Sequence, residues 1–448
     1  MNPYVIWKAV IDPGEFYGRR EEIREVVKLI RREYPECCPI VGPELIGKTS
    51  LLNFIAHPQG ARSEFEYYFK DLEHIFVYIN FQLLFHRESM SFFKFIFRYL
   101  AEKVQEMGKE EESLRKLYDQ AMNSQELDEV KECLEKYISS LRYIIIFLFD
   151  DFDFIIDKLT YEDYLFLKAL ADQGKVSYIT STCHELDELG KREIYPFLRI
   201  FHSSVFLGLL PEKDAVEFIQ KPALKEGVSF TDEDVRFVLR AAGQHPYFIK
   251  VVCNYLFEAK QRGDVDYSKI YSQAKQAARG VCASLWQGLA DGGKKGLSVE
   301  HEFLLDLVKN HPRSDDEYLI YDLERRGLIR KDGNEDIRLF GDIFKDFVNE
   351  QGVSKVSNIW ISSNRREVSI DSKSIYLSPC EFELFQFLFS HAGRVFSKEE
   401  LLQVVWREHK LSLGAVDMTL KRLREKIEDN PKEPAHIITV WGKGYMFQ

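Results

Sequence analysis

The order of apolar and polar residues predicts alternating strands and helices in the N-terminal half of the chain. A continuous apolar, β-favouring run occupies residues 143–149, the pattern predicts further strands at 75–81, 176–182 and 204–209, and stretches with helical spacing separate them. Apolar runs without alternation are typical of parallel strands that are buried on both faces. The pattern therefore predicts an α/β fold whose mostly parallel sheet lies between helices, with any ligand at the carboxyl ends of the strands.

The C-terminal part of the chain shows two further groups of short elements. Between about 295 and 350 the pattern predicts helices at 301–310 and 317–326, a strand pair around the turn 332–334, and a helix at 342–351. This order is typical of a winged helix, and a small connector domain is the alternative. After residue 355, strands at 366–370 and 374–377 precede helices that start near 378, 398 and 416 and a glycine-containing hairpin at 438–445.

Length and composition indicate a folded protein of several domains. The chain has 448 residues, which is longer than a domain with a single hydrophobic core usually is. Of these residues 45% are hydrophobic and 30% are charged, as in folded globular proteins. Its apolar runs fall far short of the roughly 20 residues that cross a bilayer, and the first 30 residues are rich in charge. The seven cysteines are scattered without a CxxC pair. We expect a cytoplasmic protein with reduced thiols and no membrane contact.

Net charge differs between the two ends of the chain. The whole protein carries a formal charge of −11, yet residues 355–448 hold 14 Lys and Arg against 12 Asp and Glu, a net +2. The acidic remainder argues against a protein coated in nucleic acid, whereas the C-terminal part can approach phosphates.

A phosphate-binding motif follows the first apolar stretch. Residues 42–49, Gly-Pro-Glu-Leu-Ile-Gly-Lys-Thr, fit the Walker A pattern GxxxxGK[ST] and lead into a helical segment. Glycines let backbone N–H groups surround the phosphates, the lysine reaches the β and γ phosphates, and the threonine hydroxyl binds Mg²⁺. The alternative is a glycine-rich turn before a helix. The candidate nucleotide-binding residues are Gly42, Gly47, Lys48, Thr49 and Ser50, and Lys48 is also a candidate catalytic residue.

Acidic residues end the most apolar predicted strand. Asp150 and Asp151 directly follow residues 143–149, which is the Walker B arrangement. Asp150 is the candidate Mg²⁺ ligand together with Thr49, and Asp151 is the candidate catalytic residue that orients or deprotonates water. An acidic turn after a core strand is the alternative. The polar residues 180–182 end the neighbouring strand, where they either sense the γ-phosphate or cap the next helix.

These segments resemble the STAND branch of the AAA+-like ATPases, close to the archaeal-type ATPases. Residues 16–23, Phe-Tyr-Gly-Arg-Arg-Glu-Glu-Ile, resemble the entry segment beside the adenine, which implies roles for Gly18 and Arg19. Residues 209–211 and 242–247 resemble the helical lid, whose G-x-P motif implies that Pro246 packs against the base. The resemblance implies bound ATP or ADP with Mg²⁺.

Two departures from this family bear on hydrolysis. Asp151 stands where the family usually has Glu, and Cys183 and His184 occupy a stretch where relatives often have an arginine. Arg192 and Arg199 are the candidates for an arginine finger, and each also fits a solvated helix position. We therefore expect nucleotide binding with slow turnover.

The last 90 or so residues resemble the OmpR/PhoB-type winged-helix effector domain along their whole length. The resemblance implies that residues 416–427 form the recognition helix and that the closing hairpin is the wing. Apolar residues at helical spacing face the core. The polar residues of the helix either contact DNA or form ordinary ion pairs with acidic residues of the same helix. Where relatives usually have a minor-groove arginine, this chain has Trp441. The candidate DNA-binding residues are Thr419, Lys421, Arg422, Arg424, Lys426, Thr439, Trp441 and Lys443.

The predicted fold is therefore multidomain: an α/β P-loop NTPase core (1–209), a helical lid (210–292), a first winged helix (293–352) and a C-terminal OmpR/PhoB-like winged helix (355–448). The predicted function is an ATP-dependent switch that regulates binding to double-stranded DNA, as a homo-oligomer on repeated half-sites. An ATPase that loads or remodels nucleoprotein is one alternative. A nucleotide-dependent scaffold with an unknown protein partner or signal is the other.

Overall fold

The computed structural model describes the chain except for residues 1, 7, 31–34, 65–73, 190–191, 290–297, 310–315, 332–335, 354–358, 363–366, 371–372, 391–394, 406–412, 429, 433, 441–443 and 448. The chain divides into two compact units. One is Trp7–Leu210, and the other joins Met1–Ile6 to Pro211–Gln448.

The first unit is built on a parallel five-stranded sheet with the order β2-β3-β4-β1-β5. Every pairing between neighbouring strands is parallel, which confirms the predicted sheet. The strands are β1 (Cys38–Val41), β2 (His74–Asn80), β3 (Ile144–Asp150), β4 (Val176–Thr182) and β5 (Val205–Phe206).

Helices cover both faces of this sheet. Successive residues of β3 belong to different hydrophobic clusters. Phe147 and Phe149 pack with the phenylalanine-rich helix at residues 89–106, and Ile146 and Leu148 pack with the helices at residues 20–30 and 48–56. Both faces of the strand are therefore buried, which explains its unbroken apolar sequence. The helices are α1 (Arg20–Ile30), α2 (Lys48–Ala56), α3 (Ala61–Glu64), α4 (Ser89–Glu106), α5 (Glu112–Asn123), α6 (Leu127–Ser140), α7 (Tyr161–Asp172), α8 (Leu186–Leu189) and α9 (Tyr195–Leu198).

The second unit begins with a helical group and a small winged helix. Its N-terminal segment is anchored by Tyr4, whose ring stacks on Phe230 and whose hydroxyl donates to the carbonyl of Ile219. The helical group comprises α10 (Glu212–Lys225), α11 (Asp232–Ala242), α12 (Pro246–Arg262) and α13 (Tyr267–Gln287). The winged helix comprises α14 (Val299–Val308), α15 (Glu317–Arg325), the antiparallel pair β6 (Ile329–Lys331) and β7 (Ile337–Leu339), and α16 (Asp342–Val353).

Backbone contact and ion pairs join the helical group to this winged helix. Gly243, which follows α11, and Gly341, which precedes α16, approach each other so closely that a Cβ on either would meet backbone atoms of the other segment. Lys275 on α13 pairs with Asp346 at 2.8 Å and with Glu350 at 3.1 Å on α16. The two groups of helices therefore form one packed body.

The C-terminal residues form a third hydrophobic core within the same unit. Three antiparallel strands, β8 (Ile359–Ser362), β9 (Glu367–Ile370) and β10 (Lys373–Tyr376), precede α17 (Pro379–Ser390), α18 (Lys398–Val405) and α19 (Leu413–Ile427), and the hairpin β11 (Ile437–Val440) and β12 (Gly444–Phe447) follows. The sequence pattern did not predict β8. Helix α13 packs against α17.

None of the helices that the structure describes is long and apolar enough to span a membrane. All seven cysteines are outside disulfides, and five of them are buried. Burial raises the pKa of Cys37 and Cys38 to about 12, so these thiols stay protonated at neutral pH.

Candidate functional site

The loop between β1 and α2 has the backbone shape that its two glycines permit. Gly47 has φ 106°, and it immediately precedes the first residue of α2. A Cβ on Gly42 would lie 2.7 Å from the carbonyl oxygen of Leu207, so no other residue fits there without displacing β5. The loop ends at a helix N-terminus, whose free N–H groups favour an anion. Both predicted glycines are therefore required by the local geometry.

The side chain of Lys48 lies against its own loop. Its Nζ donates to the carbonyl oxygens of Gly42 at 2.7 Å and Pro43 at 2.9 Å, and it is 3.6 Å from Sγ of Cys183. A bound phosphate would offer charged oxygens to the Lys48 ammonium, in place of these neutral carbonyl oxygens. Thr49 occupies the first turn of α2 and is half-buried, whereas the Ser50 hydroxyl accepts the N–H of Val10 at 3.0 Å.

Acidic neighbours hold the charge on Lys48. Burial lowers the pKa of this ammonium, but nearby groups outweigh burial and the net shift is upward. The groups that raise it are Cys183, Asp151, Asp153 and Glu44. The lysine is therefore cationic at neutral pH, as phosphate binding requires.

Two hydroxyl groups from neighbouring strands hold the carboxylate of Asp150. Tyr78 on β2 donates to Oδ2 at 2.7 Å, and Ser181 on β4 donates to Oδ1 at 2.6 Å. Asp150 is fully buried at the end of β3, which lies between β2 and β4. Each carboxylate oxygen keeps a further lone pair for a metal-bound water. Sequence reasoning named Ser181 only as part of a polar stretch, and it missed Tyr78.

Asp151 lies in a strained backbone conformation. Its φ and ψ are 53° and 47°, a left-handed region that aspartate adopts more readily than bulky residues but that still costs energy. Its N–H donates to Oγ of Ser181 at 3.0 Å, and its Oδ2 accepts from Nε2 of Gln82 at 2.8 Å. Burial first and then the charge of Asp150 raise the pKa of Asp151, while Lys48 opposes them. Gln82, which follows β2, was not singled out from the sequence.

A third carboxylate ties the Walker B loop to β4. Both oxygens of Asp153 accept the N–H of Cys183 at 3.2 Å, so this aspartate fixes the residue that follows β4. Burial raises the pKa of Asp153 to about 6, and Lys48 limits the rise. The end of β4 is thereby held beside Lys48. Thr182, the last residue of β4, donates its hydroxyl to the carbonyl of His184 at 2.7 Å.

The entry segment, residues 16–23, contacts the phosphate-binding loop through the side chain of Arg19. Gly18 and Arg19 both have positive φ, at 75° and 62°. The buried Arg19 guanidinium donates to the carbonyl oxygens of Ile46 at 3.2 Å and Gly208 at 2.6 Å, and it pairs with Glu22 at 2.9 Å. Arg19 is therefore engaged with the loop backbone, and its contact with adenine stays a prediction.

The remaining predicted nucleotide residues lie at helix ends. Pro246 is the first residue of α12 in the second unit, and its packing against the base stays a prediction. Arg192 lies in a short 3₁₀ turn and Arg199 follows α9. Both are exposed, and the structure assigns neither a role as an arginine finger.

Helix α19 of the C-terminal domain has one buried and one exposed face. Its predicted apolar stripe is buried, and the opposite face carries Met418, Lys421, Arg422 and Glu425. Lys421 is 3.8 Å from Glu425, both side chains being more than half exposed, so this pair is weak and leaves the lysine accessible. The buried stripe is Val416, Leu420, Leu423 and Ile427.

Several predicted DNA-binding residues instead make contacts within the domain. Arg424 donates from Nε and Nη2 to the carbonyl of Ile437, at 2.9 and 2.6 Å, and from Nη2 to Oγ1 of Thr439 at 2.9 Å. Lys426 pairs with Glu381 at 2.6 Å. These contacts hold α19 against the hairpin and against α17, so DNA contacts by these residues stay predictions.

The other candidates differ in accessibility. The Thr419 hydroxyl donates to the carbonyl of Ala415 at 2.8 Å. Lys421 and Arg422 are exposed and point away from the core. Trp441 and Lys443 lie outside the described residues. Lys421 and Arg422 are therefore the described cations best placed to meet DNA.

Two acidic residues, Asp417 and Glu428, position the wing. Asp417 accepts from Tyr445 Oη at 2.8 Å and pairs with Lys398 at 2.7 Å. The Glu428 carboxylate accepts the N–H groups of residues 435–437 and pairs with His436 at 3.0 Å. Burial raises the pKa of Glu428, but these hydrogen bonds together outweigh burial and the net shift is downward. Glu428 therefore anchors the wing and leaves the exposed cations of α19 accessible.

Comparison with known proteins separates the two ends of the chain. Residues 372–447 match the family described as "Transcriptional regulatory protein, C terminal". Over 77% of this chain, the structure is similar to the Walker-type ATPase of Pyrococcus abyssi, with 14% identity, 99% of that protein covered and a TM-score of 0.52. This chain carries a P-loop ATPase fold and an OmpR/PhoB-type C-terminal domain. At 14% identity the ATPase match establishes the fold alone.

Two further solved structures are similar to parts of this P-loop and winged-helix protein. The Aeropyrum pernix ORC2 protein, solved as ADPNP–ADP complexes, shares 13% identity over 79% of this chain and 98% of its own, with a TM-score of 0.46. The Klebsiella pneumoniae RstA DNA-binding domain, solved with the RstA box, shares 34% identity over 20% of this chain and 89% of its own, with a TM-score of 0.18.

Proposed function

We propose that this protein is an ATP-binding switch that regulates the binding of its C-terminal domain to double-stranded DNA, in the manner of a cytoplasmic transcription regulator. The observation that carries the proposal is the presence in one chain of a complete phosphate-binding loop beside a hydroxyl-bracketed Asp150 and a transcriptional-regulator domain with exposed cations on α19. A nucleotide site and a DNA-reading helix give such a switch its input and its output.

ATP or ADP is the nucleotide that this loop suits. Lys48 and the first-turn N–H groups of α2 bind the β and γ phosphates, and Thr49 and Asp150 hold Mg²⁺ through oxygen atoms, the ligands that this ion prefers. The metal supplies neutralisation of the phosphate charge. Asp151, whose carboxylate accepts a hydrogen bond from Gln82, would orient the attacking water, and turnover is slow because Asp151 stands where the related ATPases usually have the longer Glu.

Tyr78→Phe is expected to raise the Mg²⁺ concentration for half-maximal ATP binding about fivefold, because one hydrogen bond that orients Asp150 is lost. Binding of ATP without Mg²⁺ should stay unchanged. Titration of Mg²⁺ against fluorescent ATP measures both. The control is Tyr178→Phe, which removes the hydroxyl of a β4 residue that donates to the carbonyl of Leu167 on α7. Equal Mg²⁺ dependence in the two variants would show that Tyr78 does not position the carboxylate.

Double-stranded DNA is the partner that α19 suits. The helix lies in the domain that matches transcriptional regulators, and its exposed face offers Lys421 and Arg422 for bases and phosphates. A single winged helix reads few bases, so we propose a homo-oligomer on repeated half-sites. Helix α13, which belongs to the predicted helical lid, packs against α17 of the C-terminal domain. A movement of the lid would therefore be transmitted to this domain.

Arg422→Ala is expected to weaken selective DNA binding about tenfold or more, because an exposed arginine on a recognition helix contributes base or phosphate contacts. The stability of the protein should not change. Fluorescence anisotropy on a selected duplex measures the affinity, and Lys432→Ala, an exposed cation in the loop after α19, is the control. Unchanged affinity in Arg422→Ala would move the DNA contact away from this face.

The switch itself is tested by selection from random duplex DNA across a salt series. Full-length protein and Lys48→Ala are each compared with and without ATP and Mg²⁺. A nucleotide-dependent change in selected sequences or affinity that Lys48→Ala abolishes supports the proposal. Selection that is identical in every nucleotide state would refute the switch, and selection of no duplex would direct the search to a protein partner.

An active ATPase that loads or remodels nucleoprotein is the second candidate. The strained backbone of Asp151 favours it, because such strain is often retained where a side chain must be aimed at a reacting group. Its signature is ATP turnover that DNA stimulates and that Asp151→Asn abolishes while ATP binding is retained.

A further inference from the structure

The recognition helix carries a large apolar side chain on its otherwise polar face. Met418 is 53% exposed, although methionine is usually buried. It lies two residues from both Val416 and Leu420, which are buried, so helical geometry places it opposite the core. Burial in the domain therefore does not account for Met418.

The neighbours of Met418 leave room for a close approach. Gly414 lies one turn earlier on the same face and is exposed, so at that position the described part of the helix places no side chain beside the methionine. One turn later, Lys421 and Arg422 lie to either side of it and are exposed. The adjacent Thr419 hydroxyl is occupied by the Ala415 carbonyl. The exposed face therefore presents an apolar tip between two cations.

Charge and shape favour duplex DNA as the occupant of this face. Two flanking cations suit the phosphates on either side of a major groove, whose floor carries a single apolar group, the C5-methyl of thymine. A thioether donates no hydrogen bond and packs well against a methyl group. An apolar protein surface would gain nothing from the two cations.

We propose that Met418 reads thymine, through contact with its C5-methyl group, at one position of each DNA half-site. The inference rests on the proposed binding of α19 to duplex DNA and adds the base that it selects. Lys421 and Arg422 set the helix on the groove by binding phosphates or guanine, and Met418 selects the A·T pair between them. Methyl recognition predicts that deoxyuridine, which pairs like thymidine but lacks the methyl group, is a poorer ligand at that position.

The test replaces each thymine of a selected duplex in turn with deoxyuridine. For the full-length protein, one replacement per half-site is expected to weaken binding about fourfold, the value of one buried methyl group. For Met418→Ala the same replacement should change the affinity by less than a factor of about 1.5, because the partner of the methyl group is gone. Met107→Ala, an exposed methionine after α4, is the control and should keep the full penalty.

The outcomes separate this inference from the function on which it rests. If a duplex is selected but no deoxyuridine replacement weakens binding, or if Met418→Ala keeps the penalty, Met418 does not read thymine and DNA binding stands. If no duplex is selected, the DNA-binding proposal fails and this inference fails with it. Equal thermal unfolding of Met418→Ala and the unmodified protein shows that the variant is folded, as the exposure of the residue predicts.

Discussion

Lys48→Ala is expected to weaken ATP binding about a hundredfold, because truncating one partner of a buried charge pair costs several kcal/mol. Lys48 is the ammonium that the Walker A loop encloses, and its surroundings hold it in the charged form. Alanine removes the cation and retains the helix, because alanine is the best helix former. Isothermal titration with ATP and Mg²⁺ measures the loss.

Lys116→Ala is the matched control for this change. Lys116 lies on α5 with its side chain 74% exposed and paired to Glu112, so its loss should leave ATP affinity within a factor of about two. Without nucleotide, the unmodified protein, Lys48→Ala and Lys116→Ala should have the same thermal unfolding temperature. An ATP affinity of Lys48→Ala equal to that of Lys116→Ala would mean that the loop is not the phosphate site.

Gly243→Ala is expected to lower the free energy of unfolding of the second unit by about 4 kcal/mol or more. Gly243 has φ 60° and ψ −143°, a region that is essentially restricted to glycine. A Cβ there would lie 1.9 Å from the carbonyl oxygen of Phe340, a backbone atom that cannot move without displacing α16. Urea unfolding followed by circular dichroism measures the loss.

Gly263→Ala separates the two causes of this loss. Gly263 follows α12 with φ 71°, and a Cβ at that position would meet no atom within 4 Å. It therefore carries the penalty of the left-handed backbone alone, about 1 kcal/mol. If Gly243→Ala costs no more than Gly263→Ala, the close approach of α11 to the segment before α16 does not exist in solution.

Short-range signals in the sequence predicted the parallel sheet of the first unit, whereas the roles of the site residues stay predictions. The strand 143–149 was recognisable because both of its faces are buried, which removes polar residues from a run of seven. The glycines of the phosphate-binding loop follow from backbone geometry that spans a few residues. The division into four domains and the role of Pro246 stay predictions.

Contacts between distant segments limited the prediction of the site. Tyr78 and Gln82 reach Asp150 and Asp151 only because β2 pairs with β3 in the register that sets Asn80 beside Asp150. No local pattern encodes that register, since the residues between the ends of both strands are almost all apolar. The strand β8 was missed although its sequence, Ile-Trp-Ile-Ser, is mostly β-favouring; in the structure it pairs with β9.

The C-terminal domain shows the same division between sequence and tertiary structure. The sequence by itself determined the buried stripe of α19, because apolar residues at helical spacing share one face of a helix; the stripe is Val416, Leu420, Leu423 and Ile427. It also determined that cations lie on the other residues of the helix. Only the tertiary structure decided what these cations contact: Arg424 binds the hairpin, and Lys426 pairs with Glu381 although it is exposed, whereas Lys421 and Arg422 are exposed and point away from the core. The physical reason is that helical periodicity assigns a side chain to a face, while the packing of other elements against that face decides what it contacts.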